Sequence, residues 1–203
     1  MRGKLWMPRG IAEMLDHAGR GSAATTRGGC GQRLGLVFKL FCISNFAPMK
    51  NSMMPHEEIE EIVNRETRAW DTQNVDLLLS IFHPDMVWPW PPTADSHDPE
   101  EWVMVMGRFD RQRWGDLWRR LFTTHTLVHN HRYIRKIEMS AEADGAFAVL
   151  DIDTLWQDDD GNTSHWNGRV CKVYAKVGSE WKMTMHTGVL RYPAAKLAEI
   201  QRR

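Results

Sequence analysis

Cysteine is scarce in this chain. Cys30, Cys42 and Cys171 are the three cysteines in 203 residues, and their spacing fits neither a metal motif nor a disulfide framework. A reducing compartment is the simpler expectation, and the chain is read as cytoplasmic. Long apolar runs are missing too. No segment approaches the roughly 18 apolar residues of a membrane span, so no membrane partner is expected. The apolar stretch 34–43 is short, broken by Lys39, and lies far from the N-terminus for a secretion signal. Net charge is +0, from 26 Lys/Arg and 26 Asp/Glu. The balance hides an asymmetry: residues 1–53 hold eight basic residues against two acids, leaving 18 basic and 24 acidic for the rest. A body carrying a net six negative charges lacks the clustered positive charge that phosphates demand, which argues against nucleic acid as a partner.

What is present divides near Met54. Residues 1–48 are rich in Gly and Arg and show no sustained periodicity; Met49, Met53 and Met54 follow. Either translation begins at one of these methionines, which is the expectation, or the stretch is a basic tail for an acidic partner. Residues 1–53 are therefore read as an irregular extension, and 54–203 as the domain. Pro55 suits a first helical position, with Glu57 and Glu58 at the positive end of the helix dipole. Ile59, Ile62, Val63, Glu66 and Trp70 then keep helical spacing. Asn74 can cap a second helix carrying Leu77, Leu78, Ile81 and Phe82, which His83-Pro84 stops. Met86–Trp90 reads as a short extended piece. A third helical region is expected from Asp98-Pro99, with Trp114, Leu117, Trp118, Leu121 and Phe122 on one face.

Beyond Phe122 the period changes to two. Four long runs, His125–Met139, Ala146–Gln157, Ser164–Val177 and Glu180–Tyr192, are separated by Asp144-Gly145, Asp160-Gly161 and Gly178-Ser179. Those dipeptides are hairpin chemistry, so the runs predict an antiparallel meander. A sheet needs one face covered, and the preceding helices carry the apolar stripes to cover it. The fold class is therefore α+β.

This order, with RAWDTQNVDLLLSIFHPDMVW (68–88) and GRVCKVYAKVGSEWKM (168–183), resembles the NTF2-like superfamily over about Glu57 to Tyr192. The closer likeness is to its SnoaL-like and DUF4440-like members, with ketosteroid isomerase and scytalone dehydratase as distant relatives. The resemblance implies a cone: N-terminal helices packed on a curved, mainly antiparallel sheet around a pocket, often in a dimer. Relatives commonly end the last strand in His-x-His-x-Ser. Here those places hold Met185, Thr187 and Val189, and His186 falls on the opposite parity unless a bulge shifts the register. Scytalone dehydratase-like relatives begin an early strand with Thr-x-His and end helix one in an aromatic-Asp pair. Thr123-Thr124-His125 and Trp70-Asp71 occupy similar places, so the resemblance implies His125 and Asp71 as an acid/base pair. The paired tyrosines of such dehydratases are not evident, since Trp70 and Trp88 stand in their positions.

Alternation gives the expected inward faces. Ala148, Leu150, Ile152, Thr154 and Trp156 form the apolar set of the second long strand. Asn167, Arg169, Cys171 and Val173 are taken for the third, and Trp181, Met183, Met185 and Thr187 for the fourth. In the first, His125, Leu127, His129, His131 and Tyr133 share a face. Expected pocket contacts are thus Trp88, Trp90, His129, His131, Trp156, Asn167 and Arg169, although most tryptophans should fill the core. An inward Arg169 needs an anion, either Glu66 or a ligand's acidic group. His129-x-His131 lacks a third placed ligand, so neither metal nor cofactor is expected. Phe147, Val149 and Leu155 alternate with Asp151 and Asp153 on the opposite face, which would serve a homodimer.

Two functions follow. One is a proton-transfer enzyme, an isomerase or dehydratase acting on a small apolar or cyclic metabolite. The other is a non-catalytic ligand-binding or dimerisation module, in which Arg169 is paired internally and the histidines are solvent-facing or hydrogen-bonded structurally.

Overall fold

The computed structural model describes residues 54–192; the readings of residues 1–53 and of the C-terminal tail lie outside them. Helix α1 (Pro55–Asp71) starts with proline at its first turn, and the Met54 N–H donates to Glu57 Oε2 at 3.0 Å. Its buried residues are Ile59, Ile62, Val63, Glu66, Ala69 and Trp70, one continuous stripe. Gln73, in the left-handed region at φ 51, turns the chain into α2 (Val75–Ile81). Asn74 caps α2 by accepting from the Leu77 N–H at 2.9 Å.

The second helix ends at Ile81, and Phe82 and His83-Pro84 belong to a strand. Strand β1 (Phe82–Val87) begins four residues before the expected extended piece and pairs parallel with the last strand at the sheet edge. Proline, which has no N–H to donate, is tolerated on an edge strand. The third helical region is also split. Asp98 caps only a 3-10 turn (Pro99–Glu101). Gly107 at φ 61 redirects the chain, and α3 (Arg111–Thr124) starts where Asp110 accepts from the Arg113 N–H at 2.7 Å.

Strands β2 (His125–Met139), β3 (Gly145–Asp158), β4 (Thr163–Val177) and β5 (Glu180–Leu190) follow the expected runs closely and form the meander. The sheet is open and mixed, in the order β1-β5-β4-β3-β2. Among the described residues, the helices cover one face. That face buries Ala148, Leu150, Ile152, Thr154 and Trp156 of β3, as alternation requires.

Two other strands depart from simple alternation because of bulges, and one extra residue reverses every side chain beyond it. In β2, Leu127 pairs with Trp156 but His129 with Leu155, so Val128 is the extra residue. In β5, Tyr174 pairs with Met183 but Val173 with Met185, which leaves Thr184 as the extra residue. Strand β4 has no bulge against β3, yet its inward set is Gly168, Val170, Lys172 and Tyr174 rather than Asn167, Arg169, Cys171 and Val173. The lysine in the inward series hides this. It is admitted because α1 places Glu66 directly over it.

Candidate functional site

The core between the helices and the sheet is charged as well as aromatic. Glu66 and Lys172 are both 0% exposed and form an ion pair through Glu66 Oε2. The other carboxylate oxygen accepts from the Trp70 indole N–H at 3.2 Å and lies 3.9 Å from Arg132 Nη1. Burial raises the Glu66 pKa, but Lys172 and Arg132 outweigh it and hold the carboxyl below its ordinary range. Burial drives Lys172 down from 10.5 to about 8 against the pull of Glu66. The guanidinium of Arg132 also donates to Asn130 Oδ1 at 3.1 Å, Thr154 Oγ1 donates to the same oxygen at 2.8 Å, and Asn130 Nδ2 donates to Asp71 Oδ1 at 2.8 Å. One polar chain therefore runs from the end of α1 to the middle of the sheet.

Next to Lys172 the Thr184 bulge has brought His186 inward. The two residues are cross-strand partners, and such pairs on one face are in contact range. His186 is 3% exposed and stacks on Trp88, with ring centroids 4.1 Å apart at 24°. Trp90 meets it edge-on at 5.6 Å. Both imidazole nitrogens, and the hydroxyl of the buried Tyr174, have no hydrogen-bond partner among the described residues. Burial pushes the His186 pKa well below 6.5, with Lys172 and Arg132 adding to the effect, and raises Tyr174 well above 10.0. The imidazole is thus neutral and the phenol protonated across the neutral range.

A pH prediction follows from His186. Its folded pKa lies below the unfolded value, so below about pH 6.5 the unfolded chain binds a proton that the folded chain refuses, and stability falls as pH falls. The slope is up to about 1.4 kcal/mol per pH unit. Urea unfolding between about pH 6.5 and 5 should show this slope in the wild type and lose it in His186→Phe, which keeps the stack on Trp88. Equal slopes in the two proteins would place the acid sensitivity elsewhere.

The residues expected from sequence fall into three places. Trp88, Trp90 and Trp156 lie in the buried core, the first two against His186. Asp71 and His125 line an open hollow of about 290 Å³ with Gln73, Phe122, Thr123, Thr126, Leu127 and Asp159. Each is held by its own neighbour there: Asp71 accepts from Asn130, and His125 Nδ1 pairs with Thr124 Oγ1 at 2.8 Å.

His129, His131, Asn167 and Arg169 lie on the outer face, away from the helices, which corrects their expected direction. Arg169 is bidentate on Asp151, at 2.7 and 3.0 Å, rather than on Glu66. His129 Nε2 and His165 Nε2 both hydrogen-bond Asp153 Oδ1, at 2.9 and 2.6 Å. Alternation passed over Lys172, Tyr174, Arg132 and His186. The one signal for His186 was conditional on the register shift that Thr184 supplies.

No protein-family model and no curated protein matches the sequence. Solved structures do resemble the described residues. A ketosteroid isomerase-like protein from Erwinia carotovora atroseptica is 13% identical with a TM-score of 0.51, and the match covers 68% of this chain and 96% of that one. An NTF2-like protein from Cytophaga hutchinsonii is 14% identical with a TM-score of 0.52, covering 68% and 99%. An NTF2-like protein of unknown function from Prochlorococcus marinus is 15% identical with a TM-score of 0.52, covering 71% and 99%. Likeness at such identities speaks for architecture and not for chemistry. Helices stacked on one side of an open, mixed sheet make up the NTF2-like fold, and that fold is what the likeness shows for this chain.

Proposed function

We propose that the cone binds a small, flat, cyclic compound bearing a carbonyl or hydroxyl oxygen, and that the protein is a proton-transfer enzyme of the isomerase or dehydratase type. The reading rests on one observation: His186 and Tyr174 are turned to the helix-covered side of the sheet with buried polar atoms that have no hydrogen-bond partner among the described residues. An unsatisfied buried polar group costs about 1–3 kcal/mol, so such groups call for a role. A ligand oxygen accepting from the Tyr174 hydroxyl and a ligand proton moving through the His186 imidazole would provide one. Two titratable groups whose surroundings drive their pKa values apart, one staying protonated and the other staying neutral, are the usual form of an acid/base pair.

Lys172 and Arg132, both beside Glu66, are buried cations that would favour a developing enolate. The irregular segment 88–110, which carries Trp88 and Trp90 and is tied by the Trp90–Val103 bridge and the Trp114 indole on Met106 O, is the element that would admit the ligand.

A second reading has its own support. Arg169 is paired with Asp151, and His125 and His129 are hydrogen-bonded to neighbours, as a non-catalytic module would have them. Asp71 and His125 line a hollow whose volume falls near the lower end of the roughly 300–1,000 Å³ usual for ligand sites.

Binding of 2-naphthol and 2-cyclohexenone, read as a rise in melting temperature, separates these readings. A ligand at about 100 times its Kd adds about 2.7 kcal/mol. The interior site is expected to lose at least about tenfold in affinity in His186→Phe, the equivalent of about 1.4 kcal/mol, and to be indifferent to His125→Ala. The reverse pattern would move the ligand to the hollow. Enzyme-dependent deuterium uptake at the carbon α to the carbonyl, followed by NMR, supports catalysis; binding without exchange leaves a binding module.

A further inference from the structure

We propose that the outer face of the sheet carries a divalent-metal site formed by His129, Asp153 and His165, suited to a borderline first-row cation such as Zn²⁺. The three residues come from three adjacent strands, β2, β3 and β4. His129 and His165 are both register partners of Leu155 and flank it on one face, and Asp153 stands two residues along the same face. Their ligand atoms lie within 4.8 Å of one another.

The chemistry of the set favours a metal over a fortuitous hydrogen-bonded triad. Two imidazoles converge through Nε2 on a single carboxylate oxygen. Presented as Nδ1–H tautomers, the same two Nε2 atoms offer lone pairs to an ion held by that carboxylate. Two nitrogens and one carboxylate leave a fourth, open position, the ligand count of solvent-accessible zinc sites. His131 stacks on His129 with centroids 5.1 Å apart at 13°, which holds the His129 ring in place.

Competing cations are already engaged. Arg169 and Arg135 are both taken up by Asp151, so the Asp153 charge is left to the two histidines. The side chains are part-exposed, at 29%, 38% and 49%, so an ion can reach them from solvent. They project from the interior of long paired strands, which fixes their separation better than a loop would.

The test uses the full chain freed of metal by a chelator. Calorimetric titration with Zn²⁺ should give one saturable site per chain, and Co²⁺ should develop the visible d–d absorption of a nitrogen- and oxygen-ligated ion. Asp153→Asn, which keeps the shape and removes the charge, and His165→Ala should each weaken Zn²⁺ at least about 30-fold, since even outer-shell changes cost about 10–100-fold. His56→Ala, remote on α1, should leave the affinity unchanged. Circular dichroism of each variant confirms that the loss is not one of folding, and Asp153→Asn serves alone if His165→Ala fails to fold. No saturable uptake by the wild type, or uptake undiminished in Asp153→Asn, overturns the site.

Discussion

Glu66→Gln is expected to destabilise the folded domain by about 3–5 kcal/mol at neutral pH, the usual result of removing one partner of a buried ion pair. Lys172 and Arg132 both lean on the Glu66 carboxylate, and among the described residues no other anion pairs with the Lys172 ammonium. The variant must therefore bury an uncompensated ammonium or strip its proton. Stripping a lysine of ordinary pKa near 10.4 at pH 7 costs about 4.6 kcal/mol, which sets the same scale. That route gives the prediction its signature. The loss should shrink by up to about 1.4 kcal/mol per pH unit as pH rises from about 6 to 8, because deprotonation becomes cheaper. Denaturant midpoints for both proteins across that range provide the measurement. A penalty below about 1 kcal/mol, or one that does not vary with pH, would mean that Lys172 has another partner in solution. A smaller loss is expected from Lys172→Met, since Glu66 keeps Arg132 and the Trp70 indole.

Gly168→Ala should cost about 3 kcal/mol, at the upper end of overpacking effects, and reduce the yield of folded protein. A Cβ there would lie 2.1 Å from the Val189 carbonyl oxygen and 2.8 Å from Leu190 Cα. Both are backbone atoms, so no side-chain rotation relieves the clash. Gly188, which pairs with Val170 two residues along the ladder from the Gly168–Leu190 pair, is as crowded: an added Cβ would meet the Arg169 carbonyl oxygen at 2.5 Å. Strands β4 and β5 therefore approach at a place where only glycine fits, one residue beyond Thr187 and within two of His186. Forcing them apart should disturb the imidazole's stack on Trp88 as well as the sheet, so any binding of the proposed ligand should weaken too. Thermal melts of Gly168→Ala and Gly188→Ala test this, and a loss under about 1 kcal/mol in both would show that the strands separate freely.

Much of the architecture was legible in one dimension. The α1 stripe from Ile59 to Trp70 follows from helical spacing alone, and the limits of β2 and the hairpin dipeptides follow from period two. Such periodicities are local, and burial acts on them directly. Asn74 as a cap is equally local. Misreadings began where a long-range contact overrode a local preference. Asp98-Pro99 looks like a helix start, but the chain continues through a 3-10 turn and waits for Asp110. Cys171 and Val173 look like core and Lys172 like surface, and the reverse holds because a carboxylate 106 positions away neutralises the lysine.

The amino-acid order by itself determined that helices come first, that four long strands follow, and that β3 presents Leu150 and Trp156 to those helices. Tertiary structure decided which way β2, β4 and β5 face, because a strand's parity is fixed by its neighbours and a single extra residue inverts it. Val128 sends His129 outward to meet Asp153 and His165, Thr184 turns His186 inward to Trp88, and Glu66 draws Lys172 into the core. Each of these residues was visible in the chain. Their company was set only by pairing across strands.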